Sequence, residues 1–261
     1  MVVLHSHPVD SDIQSVFNAL DVLECLMREE DIDVADVAQR LDVPEYTAQQ
    51  LLDALCVRDL AARNPETARY RLGVHLYELG QTASDRYALR RAGLPLLEEL
   101  RQASGFSVHL TVSDEADVVF VERLHYVTGM GRMKDSGRRM PSHATSAGKA
   151  MAAFDPAFAQ ARKTAGFPRL APRTIASAAE FDCALAEVRR TGVAISMNES
   201  QCQLTSVAAP VRDFCGRAYA AVSVVGPGDE FGDFGRAARL VIRAAAKLGQ
   251  ALSRLQAEPA R

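Results

Sequence analysis

No stretch of the 261 residues approaches the ~18 consecutive apolar positions that cross a bilayer as a helix. The opening Met1-Val2-Val3-Leu4-His5-Ser6-His7-Pro8 lacks the basic region and long apolar core of a signal peptide, so a cytoplasmic location is expected. Cysteine is scarce and scattered. Cys25, Cys56, Cys183, Cys202 and Cys215 are odd in number and nowhere form Cys-x-x-Cys, which argues against a disulfide framework or a zinc knuckle. Cys25 and Cys56 fall among apolar helical positions and read as core residues. Recognised catalytic patterns are also missing: there is no Gly-x-Ser-x-Gly elbow, Walker loop or paired-histidine metal spacing. His5 and His7 sit in the terminal tail, and Gly226-Pro227-Gly228-Asp229 is a turn. His143, Cys202 and Glu199 have no spacing that marks a hydrolytic site. No catalytic residue, metal or cofactor is expected, and the chain does not read as an enzyme.

What remains is a globular composition, 48% apolar and 24% charged, long enough for one large domain or two smaller ones. The net charge of −3 conceals an asymmetry. The first 80 residues hold six arginines, no lysine and fifteen acidic residues, a formal charge of −9. The remaining 24 basic and 18 acidic residues leave +6 in residues 81–261, so the two regions differ in kind.

Ser11-Asp12-Ile13-Gln14 reads as a capping box, and Ile13, Val16, Phe17, Leu20, Leu23, Leu26 and Met27 then recur at helical spacing. Asp33 caps a short second helix with Val34, Val37, Ala38 and Leu41 inward. Pro44 opens a third helix that runs to about Val57 with Ala48, Leu51, Leu52 and Leu55 inward. Its outward residues are Glu45, Tyr46, Gln49, Gln50 and Asp53. Residues 60–63 and 68–72 are β-prone, joined by the turn Asn64-Pro65-Glu66-Thr67. Three helices followed by a hairpin describe a winged helix-turn-helix, in which the third helix enters the major groove. The same elements also suit a small helical domain used for protein contacts.

The residues carry a family resemblance. Residues 15–24 resemble the opening helix of the IclR-type transcriptional regulators. Val37 to Pro44, followed by Thr47-Ala48 and Leu51-Leu52, resembles their helix-turn-helix, and Tyr70-Arg71-Leu72-Gly73 the end of their wing. Met140 to Ala150 is similar to their Pro-x-His…Gly-Lys segment. Val207 to Val211 and Ala221 to Pro227 are similar to two later segments. The resemblance covers residues 12–255 in order. It implies an α+β protein: an N-terminal three-helix winged helix-turn-helix, a linker helix, and a C-terminal GAF-like domain with a twisted antiparallel sheet flanked by helices. The expected boundaries are a tail at 1–11, the winged helix at 12–73, the linker at 74–92 and the effector domain at 93–257. It further implies a ligand-responsive regulator that binds operator DNA as a dimer or tetramer and responds to a small polar or organic-acid-like metabolite, with no membrane partner.

The expected DNA contacts are Tyr46, Thr47, Gln49 and Gln50 on the third helix, and Arg58, Arg63, Arg69 and Arg71 near or on the wing. Glutamine can read adenine by two hydrogen bonds, and arginines on a wing meet the phosphates. Family members usually carry basic or small polar residues where Glu45 and Tyr46 stand, and an arginine where Gln50 stands. That departure predicts few phosphate contacts and a shallow salt dependence. It also sets up the alternative of a same-fold sensor or interaction module that has lost DNA binding through its acidic recognition helix.

In the second region, Leu76, Leu79, Ala83 and Tyr87 share one face of a helix over 74–91, a stripe suited to pairing with another subunit. Pro95 is expected to open the next helix. Residues 106–112 and 118–124 read as a β-hairpin. Residues 129–139, rich in glycine and basic side chains, read as a flexible segment feeding a pocket. A helix follows Ser146, another is closed by Gly192, residues 219–225 form a buried strand, and residues 231–255 a last helix. The resemblance implies ligand contacts at Met140, His143, Ser146, Ala147, Ser196, Leu204 and Ser206. Ser196 stands where the family often has an acidic residue, Gln203 where it often has Gly, and Ser206 where it often has Cys. His143 is either a ligand contact or a structural histidine. Lys149 either neutralises a ligand carboxylate or faces solvent.

Overall fold

The computed structural model of the chain describes residues 11–29, 31–86, 88–125 and 139–257. They form two compact units, 1–86 and 87–261. No helix among the described residues is long and apolar enough to cross a membrane.

In the first unit, α1 (Ser11–Arg28), α2 (Val34–Leu41) and α3 (Glu45–Val57) precede a hairpin of β1 (Ala61–Arg63) and β2 (Tyr70–Leu72). The Asp33 side chain accepts from Asp36 N–H at 2.9 Å and starts α2. Asp42, in the left-handed region at φ 53°, ends it and turns the chain into α3. Val22, Leu26, Ile32, Val37, Ala48, Leu52, Leu55 and Tyr70 make one apolar core. Cys25 and Cys56 pack against it, half-buried. The apolar row at Val16, Phe17, Leu20 and Met27 is outside that core: these residues of α1 are 40–68% exposed. The hairpin is held against α3 by close backbone approach. A Cβ on Gly73 would stand 2.0 Å from the Asp59 carbonyl oxygen, so only glycine fits there. α4 (Val74–Arg86) follows, with Val74, Tyr77 and Leu79 at least half-exposed. Tyr87 lies outside the described residues.

The second unit is built on a six-stranded antiparallel sheet. Its strands are β3 (Ser107–Asp114), β4 (Asp117–Leu124), β5 (Arg139–Pro141), β6 (Ala194–Met197), β7 (Leu204–Arg212) and β8 (Ala218–Pro227), in the order β5-β4-β3-β8-β7-β6. α5 (Ala88–Ser104) and α9 (Phe234–Ala257) cover one face, packing Leu97, Leu100, Val241, Leu248 and Leu252 on Val108, Leu110, Val207, Val222 and Val224. α6 (Ser146–Ala152), α7 (Pro156–Ala165) and α8 (Ala178–Thr191) cover the other, packing Ala150, Met151, Phe158, Phe181 and Leu185 on Val118, Phe120, Ala208 and Ala221. Side chains alternate along a strand, so the residues between the α5/α9 set face α6.

Three details differ from the sequence expectation. Pro95 does not open a helix but lies inside α5. It is exposed, while Leu89, Gly93, Leu97 and Leu100 form a buried stripe that continues past it without a break in phase. Packing of that stripe outweighs the hydrogen bond and the steric fit that a mid-helix proline costs. The last helix starts at Phe234, not Phe231, because the Asp233 side chain caps it by accepting from Arg236 N–H at 2.9 Å, while Phe231 stacks on Phe106 at 4.6 Å. α7 had no expectation at all, although Asp155-Pro156 announces it: Asp155 accepts from the N–H groups of Ala157 and Phe158, and Pro156 takes the first turn.

Candidate functional site

Two places carry polar chemistry, one in each unit. In the first, α3 presents Glu45, Tyr46 and Gln50 to solvent, with Thr47 half-buried behind them. Tyr46 is 73% exposed, and its hydroxyl accepts from Gln50 Nε2 at 3.0 Å, one helical turn away. Gln49 is placed differently. Its amide donates to Asp53 Oδ1 and to the Tyr70 hydroxyl, both at 2.8 Å, and Tyr70 is fully buried. Both hydrogens of the Gln49 amide are therefore engaged in tying α3 to the hairpin. Bidentate adenine readout needs one of them, so this arrangement turns Gln49 from a reader into a brace.

The wing arginines are all exposed. Arg69 lies 3.5 Å from Asp33, Arg63 packs 5.8 Å from the centroid of the Tyr70 ring, and Arg58 and Arg71 make no ion pair among the described residues. The end of α3 and the hairpin thus carry four arginines, Arg28 of α1 and Arg40 of α2 are paired with Glu24 and Glu29, and the start of α3 is acidic at Glu45.

In the second unit the polar groups are inside. Met140 on β5 pairs with Val118 and packs against the core beneath α6. The 3-10 turn Ser142–Ala144 leads into α6, where the Thr145 hydroxyl accepts from Gly148 N–H at 3.0 Å. A Cβ on Gly148 would stand 2.2 Å from the Ser142 carbonyl oxygen, which explains glycine in the Gly-Lys pair. The next residue, Lys149, is 3% exposed and neither faces solvent nor awaits a ligand. Its ammonium donates to both carboxylate oxygens of Glu199, at 2.6 and 2.7 Å, and to the Ile195 carbonyl at 2.8 Å. Burial pulls the Lys149 pKa down and Glu199 opposes that shift. The pair fastens α6 to the β6–β7 turn.

That fastening brings three serines together. Ser146 Oγ donates to Ser206 Oγ at 2.7 Å, Ser206 faces Ser196 across β6 and β7, and Ser196 Oγ donates to the Ala144 carbonyl at 3.4 Å. Ala147 is buried beside them, and Leu204 is half-buried two residues before Ser206 on the same strand face. His143 lies apart from this group. It is fully buried, its Nε2 bonds the Pro168 carbonyl at 3.0 Å, and its ring stands edge-on to Phe167. Burial lowers its pKa first, with the Pro168 contact opposing. Its Nδ1 is buried without a hydrogen-bond partner. Of the basic segment 129–139, only Arg139 is among the described residues, paired with Asp114.

The sequence reading missed Ser223 and His109. Ser223 was hidden in an apolar run, yet it is 2% exposed on β8, facing Ala208 on one side and His109 on the other. Its only sequence signal is its place in the alternation of β8. Two cavities, of about 400 and 710 Å³, flank the β7–β8 turn at Phe214, and neither reaches the serine group. The described residues contain no cluster of His, Cys, Asp or Glu able to hold a metal.

Comparison with known proteins connects these two places. The IclR helix-turn-helix domain matches residues 15–65, and the C-terminal domain of the bacterial transcriptional regulator IclR matches residues 81–254. The chain is 30% identical over 244 residues to the glycerol operon regulatory protein of Streptomyces griseus, covering 93% of this chain and 96% of that one. Among solved structures, a transcriptional regulator of Alicyclobacillus acidocaldarius superposes with a TM-score of 0.81 at 24% identity, covering 91% of this chain and 98% of that one. A homologue from Microbacterium hydrocarbonoxydans, solved with 4-hydroxybenzoate, gives 0.80 at 24% identity over 92% and 99% of the two chains.

Proposed function

The chain belongs to the IclR family of bacterial transcriptional regulators, and from that premise we propose that it binds operator DNA as a homo-oligomer in the cytoplasm, under control of a small polar or anionic metabolite. Tyr46, Thr47 and Gln50 contact the major groove, and Arg58, Arg63, Arg69 and Arg71 meet the phosphates. Ser146, Ala147, Ser196, Leu204 and Ser206 hold the metabolite, with Met140 as an apolar wall. Residues 12–73 act as the DNA-binding domain, 74–92 as the linker and 93–257 as the effector domain.

The observation that carries this reading is the pairing in one chain of an outward-facing third helix with a domain in which the hydroxyls of Ser146 on α6 and of Ser196 and Ser206 on the sheet, buried or half-buried, come together. Hydroxyls cost free energy to bury and serve to recognise polar ligands. Exposed apolar residues on α1 and α4, from Val16 and Leu20 to Val74, Tyr77 and Leu79, support association of subunits.

The test is fluorescence anisotropy of a labelled fragment from upstream of the protein's own gene, against an unrelated fragment of equal length at several salt concentrations. Selective binding with a shallow salt slope is expected, because few cations face the DNA. Absence of selective binding at every salt concentration overturns the reading. Adding 4-hydroxybenzoate and aliphatic hydroxy acids to the complex then screens effectors, and light scattering reports the oligomer.

A further inference from the structure

The excess positive charge of residues 81–261 sits in one layer. α9 carries Arg236, Arg239, Arg243, Lys247 and Arg254 and no acidic residue. α5 adds Arg90, Arg91 and Arg101 against Glu98 and Glu99. Together the two helices hold a formal +6, the whole excess of the region. Steps of three, four, four and seven residues put the α9 cations on one face of that helix. Lys247 is paired with Glu99 at 2.9 Å, and Arg236 donates to the Ala103 carbonyl at 2.9 Å. Arg239, Arg243 and Arg254 are exposed and make no ion pair among the described residues.

Beside this row runs the larger of the two cavities, a groove of about 710 Å³. Its floor is Ala245, Ala246 and Gly249 of α9 with Ala209 and Pro210 of β7. These α9 positions form the flank of the helix between the buried stripe of Val241, Leu248 and Leu252 and the basic row. Ile242, 42% exposed, stands at one end of the groove. Phe214, 89% exposed, stands at the other beside Ser253. From Ile242 to Ser253 the helix advances about 16 Å, or roughly three turns. The turn that carries Phe214 is closed. The Asp213 carboxylate accepts from the N–H groups of Cys215 and Arg217, at 2.9 and 3.0 Å, and Gly216 follows at φ 81°. An exposed ring held out on a closed turn loses little freedom when a partner covers it.

We propose that this groove docks an acidic amphipathic helix of a partner protein. The apolar face of that helix lies along the alanine floor between Ile242 and Phe214, and its carboxylates meet Arg239, Arg243 and Arg254. Charge selects this occupant over the others. A second copy of the chain would set the arginines against one another across a two-fold axis, which is repulsive. A nucleic acid duplex would meet the arginines but leave Phe214 and Ile242 without apolar cover. An extended strand cannot be added, because β7 is already paired on both sides, with β6 and β8. Asp213, which also lines the groove, is held by its own turn. α9 lies across the sheet from Ser146, Ser196 and Ser206, so the assignment goes beyond the metabolite-controlled regulator reading and does not depend on it.

The experiment titrates the full chain into a fluorescein-labelled synthetic peptide of about 14 residues, with leucine along one helical face and glutamate elsewhere, and follows anisotropy. Two control peptides have the same residues in an order without helical periodicity, and lysine in place of glutamate. Saturable binding of the first peptide is expected, half-complete at roughly 10–100 μM in low salt. The reordered peptide should bind about fivefold more weakly or worse, and the lysine peptide not at all. Phe214→Ser, at a position too exposed to support the fold, should weaken the first peptide about tenfold, and Arg239→Glu with Arg243→Glu at least as much. No binding by about 1 mM overturns the assignment, as does equal affinity for the reordered peptide. If Phe214→Ser leaves the peptide affinity unchanged while random-sequence duplex DNA displaces the peptide, the basic row serves nucleic acid and the assignment fails. Light scattering closes the remaining alternative: a smaller oligomer in Phe214→Ser than in the unsubstituted protein would mean that a second copy fills the groove, which also overturns it.

Discussion

The two units keep their polar side chains in opposite places. In the first, the core from Val22 to Tyr70 is apolar, and the Tyr70 hydroxyl is met by Gln49. Every buried polar or charged side chain among the described residues, from Ser107 to Ser223, belongs to the second. The acidic unit thus works through its surface, where solvent screens charges and an exposed pair contributes little. The other unit, which carries the excess of basic residues, works through its interior, where each polar group must be met and a mismatch is costly. The same kind of substitution should therefore have different consequences in the two units.

The largest effect is expected at Lys149. Lys149→Ala leaves the largely buried Glu199 side chain without its cation and should lower the unfolding free energy by about 3–5 kcal/mol in urea denaturation. Arg69→Ala, which breaks the half-exposed pair with Asp33 in the first unit, should cost under about 1 kcal/mol. Equal losses would break the contrast between the units. Replacing both Lys149 and Glu199 by apolar residues of similar size should recover much of the Lys149→Ala loss, because no uncompensated charge is then left inside.

Acid should expose the same contrast. His109 titrates at about 3 in the folded protein, against ~6.5 in an unfolded chain. Below pH 6.5 the unfolded chain takes up a proton that the folded chain refuses, so stability falls as pH drops through 6.5 and goes on falling toward 3. Between pH 7.5 and 5 that amounts to about 2 kcal/mol. Comparing urea midpoints of the unsubstituted protein and His109→Gln across this range isolates the contribution. An unchanged pH dependence in the variant would place the acid sensitivity elsewhere.

On the surface of the first unit, Glu45→Lys should leave the urea midpoint nearly unmoved and tighten operator binding about tenfold, with the salt slope steepened by about one contact. Anisotropy at two salt concentrations reads both. Unchanged affinity would mean that the start of α3 does not approach DNA. A small effect is expected at Gln203, which holds φ 62° in the left-handed region. Gln203→Gly should raise stability by about 1 kcal/mol by relieving a left-handed side-chain conformation. A lower midpoint would show that the glutamine side chain itself contributes.

The first unit was largely legible in the sequence. Its helices follow from apolar spacing, Asp33 and Pro44 punctuate them, and the residues outward on α3 remain outward in three dimensions. Gln49 is the exception: its role depends on Tyr70, which reaches it only when the hairpin folds back on α3. In the second unit β3, β4, β8 and most helices were legible too. Ser146, Ser196 and Ser206 were marked by the family resemblance, and the fold brings them together. His109 and Ser223 were not, because within an apolar strand nothing local says which face a side chain will take or what will cover it.

What the sequence by itself determined is the order of most elements, the winged helix with its acidic third helix, and the absence of recognised catalytic patterns. These depend on neighbours within a turn or two, where spacing, capping and charge are read directly. Only the tertiary structure decided that Lys149 closes on Glu199, that Gly148 must admit the Ser142 carbonyl, that His143 Nε2 meets the Pro168 carbonyl, and that Arg123, His109 and Ser223 share a row. Each of these is a meeting of residues from different elements. Strand register and helix packing set which groups meet, and burial sets what an unmet polar group costs.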